Sequence, residues 1–214
     1  MQPCNHEEAD ARSYLHLKYA SSKGHKKAFL RTNDTDWVVN ASYIYPKLPE
    51  LDELWIGYGT GKTYRDIPIH HSSTMLGEQR CKALPLFHDL TGGDHSSALF
   101  DRGKNQGFTA RDKMGDELTE TLISIQNDPN AFTIDSDMMK VLERFFILQY
   151  DIKSTCLSLN EARKEMFIMQ LKPLESIPPS KHAAYQHAKR SVLHAHEVLQ
   201  CLNKQIEYLP TEEF

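Results

Sequence analysis

The feature that most constrains the fold of this chain is the order of its first elements, a helical pattern followed by a short apolar segment and an acidic loop. Apolar and aromatic residues recur at helical spacing over residues 11–19. Residues 28–31 then predict a short buried strand, and residues 33–36 follow as a polar, acidic loop. A helix and a strand that ends in such a loop form one step of an α/β fold, where ligand sites lie at the carboxyl ends of strands. The sequence therefore predicts an α/β core with a candidate site in this loop.

The rest of the chain predicts few strands and many helices. Residues 54–58 and 64–69 are rich in β-forming residues and flank a glycine-containing turn, which predicts a hairpin. Helical segments are predicted at residues 37–45, 72–76, 78–90, 116–126, 135–149, 159–171 and 180–206. We therefore predict a helix-dominated α/β protein. It consists of a core over residues 1–115, a helical extension over 116–206 and a flexible tail over 207–214.

Composition excludes several classes of protein. The net charge of -4 argues against a general nucleic-acid coat protein, which carries a positive excess. No apolar run approaches the ~20 residues that span a bilayer, and the N-terminus lacks the pattern of a secretory signal. The four cysteines are too widely spaced for a Cys-x-x-Cys pair, which favours reduced, buried thiols. We expect an intracellular protein of the nucleus or cytoplasm with no membrane segment.

Three short acidic clusters are the candidate site residues. They contain Glu8 and Asp10, Asp34 and Asp36, and Asp94 after two glycines. Carboxylates are preferred ligands of Mg²⁺, and two such ions ~3.5–4 Å apart are the usual device for cutting a phosphodiester. Each cluster also has a structural interpretation: Asp34 as a helix N-cap, Glu8 and Asp10 as acids of a first helical turn, and Asp94 as a loop residue.

The order of these acids resembles the 5′ nucleases, including the flap endonucleases, of the PIN-like superfamily. In that family a Glu-x-Glu/Asp pair opens a helix, an Asp-x-Asp pair follows the next strand, and a Gly-x-Asp leads into a glycine-rich helical hairpin. The five acids match these positions in this order. The chain also resembles a group of uncharacterised animal proteins associated with mobile elements, through residues 7–10, 33–36, 54–62 and 83–94.

This resemblance implies a nuclease that depends on Mg²⁺ or Mn²⁺. All five acids would bind metal, and Asp34, Asp36 and Asp94 would also be catalytic. Two cationic patches lie near the acids in sequence, and from them Lys26, Lys27, Arg102 and Lys104 are predicted to contact nucleic acid. An ordinary solvated surface is the alternative explanation of both patches.

Two departures from the family pattern bear on activity. Family nucleases begin with a strand that ends in a metal-binding Asp, and the half of the domain that contains it has no counterpart before Glu7. In the helical hairpin, relatives have Gly-x-Gly-Lys, whereas Asp101 replaces the first glycine here. We therefore expect phosphodiester hydrolysis to be weakened or lost. The alternative is a non-catalytic, mobile-element-derived fragment that acts as a binding or interaction module.

Two other motifs are weaker predictions. Residues 59–63 resemble the end of a phosphate-binding loop, but Ile56 occupies the position of the required first glycine and no helix is predicted afterwards, so we expect no nucleotide cofactor. The histidines at 70, 71, 182, 187, 194 and 196 lack the i, i+4 pairing of zinc ligands and are interpreted as surface or core residues. Serine and cysteine nucleophiles have no recognisable local context.

Overall fold

The computed structural model describes residues 4–7, 9–94, 96–168 and 176–209, and for Asp10 the backbone alone. The described elements are, in chain order, α1 (Ala9–Ser22), β1 (Lys27–Thr32), α2 (Thr35–Ile44), β2 (Glu53–Tyr58), β3 (Arg65–Pro68), α3 (Ile69–Leu76), α4 (Glu78–Leu90), α5 (Lys104–Met114), α6 (Asp116–Asn127), α7 (Asp137–Tyr150), α8 (Leu159–Ile168) and α9 (Lys181–Leu199). Short 3-10 turns lie at Tyr45–Lys47, Gly61–Thr63 and Pro129–Ala131. The predicted helix-dominated α/β fold with few strands is confirmed.

The three strands form one mixed sheet in the order β1-β2-β3. β1 and β2 run parallel, with Lys27 opposite Glu53 and Thr32 opposite Tyr58. β2 and β3 run antiparallel, which confirms the predicted hairpin. Because β1 and β2 are parallel, their carboxyl ends lie at the same edge of the sheet, where the loop of residues 33–36 begins.

β1 differs from the short buried strand that its apolar residues predict. Along β1 the side chains alternate between exposed and half-buried, and Phe29 is 55% exposed. A Cβ placed on Gly57 would come within 2.6 Å of the Phe29 ring, so this ring lies against the glycine of the neighbouring strand. β1 is one of the two edge strands of the described sheet, and an edge position is a property of the sheet that the strand's own sequence does not encode.

The described chain divides into two compact units. Unit 1 contains residues 4–85 and 195–209, and unit 2 contains residues 86–194. The division falls within α4 and α9. The predicted boundaries at residues 115 and 206 stay predictions.

Unit 1 has a hydrophobic core between the sheet and helices α1 to α3. Tyr14, Ile44, Leu54 and Ile56 are completely buried there, and Cys201 from the C-terminal segment joins them. The hydroxyl of Tyr14 donates a 2.6 Å hydrogen bond to the carbonyl of Trp37, which satisfies its polar atom inside the core. This packing fixes α2, and therefore the acidic loop before it, against the sheet.

Unit 2 is built from helices around a core that contains Phe145, Phe146 and Leu118. A Cβ on Gly107 of α5 would come within 2.4 Å of the side chain of buried Thr91, just after α4. Only glycine therefore permits this close approach of α5 to the end of α4. This contact joins α4, the loop after it and α5 into a helical hairpin, the α4–α5 hairpin.

Several predicted boundaries are wrong for identifiable reasons. Periodicity does not predict α5 because only Gly107 and Ala110 are buried along it, which leaves no apolar stripe. Ile69 begins α3 instead of ending a strand. The last helix ends at Leu199, and the amide of Glu207 donates to the Gln200 side chain at 2.8 Å. No glycine or proline marks that end in the sequence. Residues 169–171 of the predicted segment 159–171, and residues 210–214 of the predicted tail, lie outside the described residues.

No helix within the described residues combines the length and apolar composition that are needed to cross a membrane.

Candidate functional site

The loop at the carboxyl end of β1 holds two of the predicted acids close together. The hydroxyl of Thr32 accepts a 3.0 Å hydrogen bond from the Asp34 amide, and Asp34 Oδ1 accepts a 2.9 Å bond from the Asp36 amide. Asp34 is therefore the N-cap of α2, as one of the two interpretations predicted. Asp36 lies in the first turn of α2, where the helix dipole favours a negative charge, and is only 7% exposed.

The cap does not use all of the metal-binding capacity of this loop. Asp34 Oδ2 makes no hydrogen bond to a described residue, and the side chain is exposed. A carboxylate oxygen of Asp34 lies within 4.8 Å of one of Asp36. Two carboxylates at this spacing fit a hard divalent cation that keeps several of its waters. Capping and metal binding are thus compatible at Asp34.

The structure gives less information on the other three predicted acids, Glu8, Asp10 and Asp94. Glu8 lies outside the described residues, and for Asp10 the structure gives only a backbone position near the start of α1. Asp94 belongs to unit 2 and is exposed in the loop after α4. The roles predicted for these three acids stay predictions.

The two glycines before Asp94 allow the chain to turn and pack closely at the end of α4. Gly92 has a φ of +99°, a conformation that glycine adopts without strain. A Cβ on Gly93 would come within 2.4 Å of Asp89 Oδ1, so the backbone packs directly over the Asp89 side chain. Asp89 is 2% exposed and its other carboxylate oxygen lies 2.8 Å from His194 Nδ1. The acidic motif is therefore next to a buried Asp-His pair that the sequence did not predict.

A second histidine of α9 fixes the loop that follows. The Ser97 hydroxyl donates to Nδ1 of His187 at 2.7 Å, and Nε2 of the same ring donates to the carbonyl of Leu90 at 3.1 Å. Arg190 donates to the Ser97 oxygen at 3.1 Å. His187 is 4% exposed, which confirms the interpretation of this residue as a core histidine. Because the two partners are 90 residues apart, no local sequence signal connects them.

We expect protein stability to fall in acid partly because of His187. Burial is the main cause that lowers the pKa of His187, and the charge of Arg190 adds to it. Since the folded pKa lies below the unfolded value of about 6.5, the unfolded chain binds the proton more tightly, so the stabilisation is complete above that pH and is lost below it. Urea unfolding between pH 7.5 and 5 should show the stability advantage of the parent over His187→Gln shrinking as pH falls, by at most about 1.4 kcal/mol per pH unit. A constant difference would contradict this explanation.

The four predicted nucleic-acid contacts all have partners within the protein. Lys26 Nζ lies 3.2 Å from Glu50, and Lys27 Nζ lies 2.5 Å from Glu53, although both lysines remain well exposed. Lys104 donates to the carbonyls of Gly92 and His88 at the end of α4, at 3.0 and 3.4 Å. It therefore stabilises the α4–α5 hairpin from inside.

The last of the four, Arg102, is largely covered. Its guanidinium lies 4.6 Å from the ring centre of Tyr150, and its side chain is 10% exposed. Asp101 has a φ of +52°, a backbone conformation that glycine tolerates better. A strained position therefore lies next to this arginine.

A second group of potential ligands lies at the start of α8. One ligand atom each of Cys156, Glu161 and Glu165 lies within 4.8 Å of the others. The Cys156 thiol donates to Glu165 at 3.1 Å, and burial together with this hydrogen bond raises the pKa of the thiol. The cysteine is thus held as a neutral thiol, whereas a metal ligand must be a thiolate.

Comparisons of this chain with protein-family models, with curated proteins and with solved structures find no significant match. The resemblance to PIN-like nucleases therefore rests on the motifs described above.

Proposed function

We propose that this protein is a divalent-metal-binding protein of the 5′ nuclease type, with phosphodiester hydrolysis of nucleic acid as its activity, weakened relative to the nucleases that it resembles. The observation that supports the proposal most strongly is the pair Asp34 and Asp36, held with carboxylate oxygens within 4.8 Å at the carboxyl end of a parallel strand. This is the position at which α/β sheets bind ligands. The family resemblance adds Asp94, Glu8 and Asp10 as further ligands.

The chemistry of the donors fits the proposed ions. Asp34 and Asp36 offer only oxygen atoms, which Mg²⁺ and Mn²⁺ prefer over nitrogen or sulfur. When bound, such ions stabilise the charge that develops on a phosphodiester and activate the attacking water. The protein's own contribution is orientation, because the cap at Asp34 and the burial of Asp36 fix both carboxylates before any ion arrives.

The positions of the cations define how nucleic acid would be held. Lys26 and Lys27 lie at the amino end of β1, and Asp34 lies beyond its carboxyl end. At ~3.3 Å per residue, Lys27 and Asp34 are separated by roughly 20 Å of chain. A single strand of nucleic acid that contacts both the lysines and Asp34 must therefore lie along β1 for several nucleotides. Arg102 and Lys104 stabilise unit 2 and are less suited to this role.

The test is Mn²⁺ binding by calorimetry on matched variants. Asparagine caps a helix as well as aspartate does, so Asp34→Asn removes the charge while it keeps the cap. We expect Asp34→Asn and Asp36→Asn each to weaken Mn²⁺ binding at least about tenfold, or about 1.4 kcal/mol. Asp94→Asn should do the same if Asp94 is a ligand. Asp52→Asn is the control, because Asp52 lies just before β2, at the amino ends of the parallel strands. This variant should bind Mn²⁺ as the parent does.

The same variants distinguish the enzyme from its alternative. Cleavage of single-stranded and flap DNA that needs Mn²⁺ and disappears in Asp34→Asn would support the nuclease. Mn²⁺ binding without cleavage would favour a non-catalytic binding module, which the structural role of Asp34 as a cap also favours. A parent protein that binds no Mn²⁺ would overturn the proposal.

A further inference from the structure

Unit 1 contains a cavity that the proposed function does not use. It has a volume of about 450 Å³ and lies between the end of α2, the turn after it, α3 and the first turn of α4. Its walls include the side chains of Tyr43, Tyr45, Lys47, Ser73 and Cys81. Small-molecule sites in proteins are concave, have volumes of roughly 300–1,000 Å³, and combine aromatic walls with a few polar groups.

Lys47 is the unusual member of this lining. Its ammonium donates a hydrogen bond to the hydroxyl of Tyr43 and lies 3.7 Å from the centre of that ring. The Tyr43 hydroxyl donates in turn to the carbonyl of Leu199 at 3.3 Å, so its oxygen is oriented to accept from Lys47. Among the described residues no carboxylate lies within ion-pair distance of Lys47. Lys82, in the same lining, has Glu78 at 2.7 Å.

The charge states of Lys47 and Tyr43 favour a nucleophilic amine at Lys47. Although Lys47 is an exposed residue as a whole, partial burial of its ammonium end beside Tyr43 lowers its pKa. Cys201 acts in the opposite direction, and the nearby Lys82 adds to the lowering. Burial also raises the pKa of Tyr43, so the phenol stays neutral and supplies no counter-charge. A larger fraction of Lys47 is therefore the uncharged amine at neutral pH than for a lysine whose ammonium is fully surrounded by water.

We propose that this cavity binds small aldehydes or ketones with an aromatic or aliphatic body, and that Lys47 holds them as an imine. The lone pair of Nζ attacks the carbonyl carbon and forms a C–N bond. The carbon–oxygen bond then breaks, and the oxygen leaves as water with the two hydrogens of the amine. The step needs no oxidant or reductant, and it is reversible by hydrolysis. The cavity lies within unit 1 and is independent of the acidic loop.

The experiment uses benzaldehyde as the probe, with cyanoborohydride to trap the imine, and peptide mass spectrometry to follow each lysine. We expect Lys47 to be benzylated roughly tenfold faster than Lys82, well below the limit for a fully oriented reaction, with a rate that saturates as benzaldehyde is increased. Benzyl alcohol, which has the same body and no carbonyl, should compete. Its failure to slow Lys47 would contradict binding in the cavity.

Two variants separate the cavity from simple amine reactivity. Thr74 is an exposed residue of the lining, so Thr74→Trp fills the cavity from its rim without disturbing the core. This variant should keep its far-ultraviolet circular dichroism and lose the saturable labelling of Lys47. Lys82→Arg should leave the labelling of Lys47 as fast as in the parent. Labelling of Lys47 at or below the rate of Lys82, or labelling unchanged by Thr74→Trp, would overturn the proposal.

Discussion

Replacing His194 by alanine is expected to lower the free energy of unfolding by about 3 kcal/mol, because it leaves the Asp89 carboxylate buried without its partner. Asp89 is 2% exposed, and its Oδ2 lies 2.8 Å from His194 Nδ1. The carboxylate cannot turn towards water on its other side, since Gly93 packs directly against Oδ1. Urea unfolding at pH 7.5, followed by circular dichroism, measures the loss.

The control for this prediction lies two residues further along α9. His196 donates to the carbonyl of Glu207 at 3.1 Å in an exposed position, so His196→Ala should cost no more than about 1 kcal/mol. Adding Asp89→Asn to His194→Ala should recover part of the loss, since the buried charge is then removed. Equal losses of unfolding free energy in His194→Ala and His196→Ala would show that the Asp89–His194 pair contributes no more to stability than an exposed hydrogen bond.

Glu143→Ala is expected to cost about 2–3 kcal/mol, because one buried carboxylate holds the starts of two helices. The Glu143 side chain is 5% exposed, accepts a 2.8 Å hydrogen bond from the Leu159 amide, and lies 3.6 Å from Lys181 Nζ. Alanine leaves the amide at the start of α8 and the ammonium at the start of α9 without this acceptor. The measurement is urea unfolding combined with hydrogen exchange at the Leu159 amide, which should become much faster.

Two variants of α7 test whether the carboxylate itself is responsible. Glu143→Gln keeps an oxygen for the Leu159 amide and should lose distinctly less stability than alanine, with slow exchange at Leu159 retained. Asp137 pairs with Lys140 in an exposed position, so Asp137→Ala should cost much less stability than Glu143→Ala. Equal losses for Gln and Ala at position 143 would contradict a role for this hydrogen bond.

Helices with a clear apolar stripe could be predicted closely from the sequence. The predicted segments 78–90 and 116–126 match α4 and α6 within one residue. In α6 the buried residues Leu118, Leu122 and Ile125 recur at helical spacing. α5 could not be predicted in this way, since its burial depends on a glycine that lies against Thr91. The end of α9 was equally hidden, because side chains distant in the sequence, such as Asn5, receive the hydrogen bonds of the segment that follows.

The candidate site was predictable only where its residues are close together in the sequence. The pair Asp34 and Asp36 follows from a strand that ends in an acidic loop, and its geometry is set by hydrogen bonds between residues two apart. The Asp89–His194 pair joins residues 105 apart, so nothing in the sequence indicated it. The cation patches showed a further limit, because the sequence records charges but not that Arg102 stacks on Tyr150.

The sequence by itself determined the class of fold, the hairpin, and the acidic loop after the first strand, since each depends on periodicity and short-range turn chemistry. Only the tertiary structure decided that β1 is an edge strand, that Lys104 stabilises the α4–α5 hairpin, and that Lys47 faces a cavity beside Tyr43. The physical reason is that burial and the pairing of charges depend on which distant segments pack together, and that arrangement is a property of the folded chain as a whole.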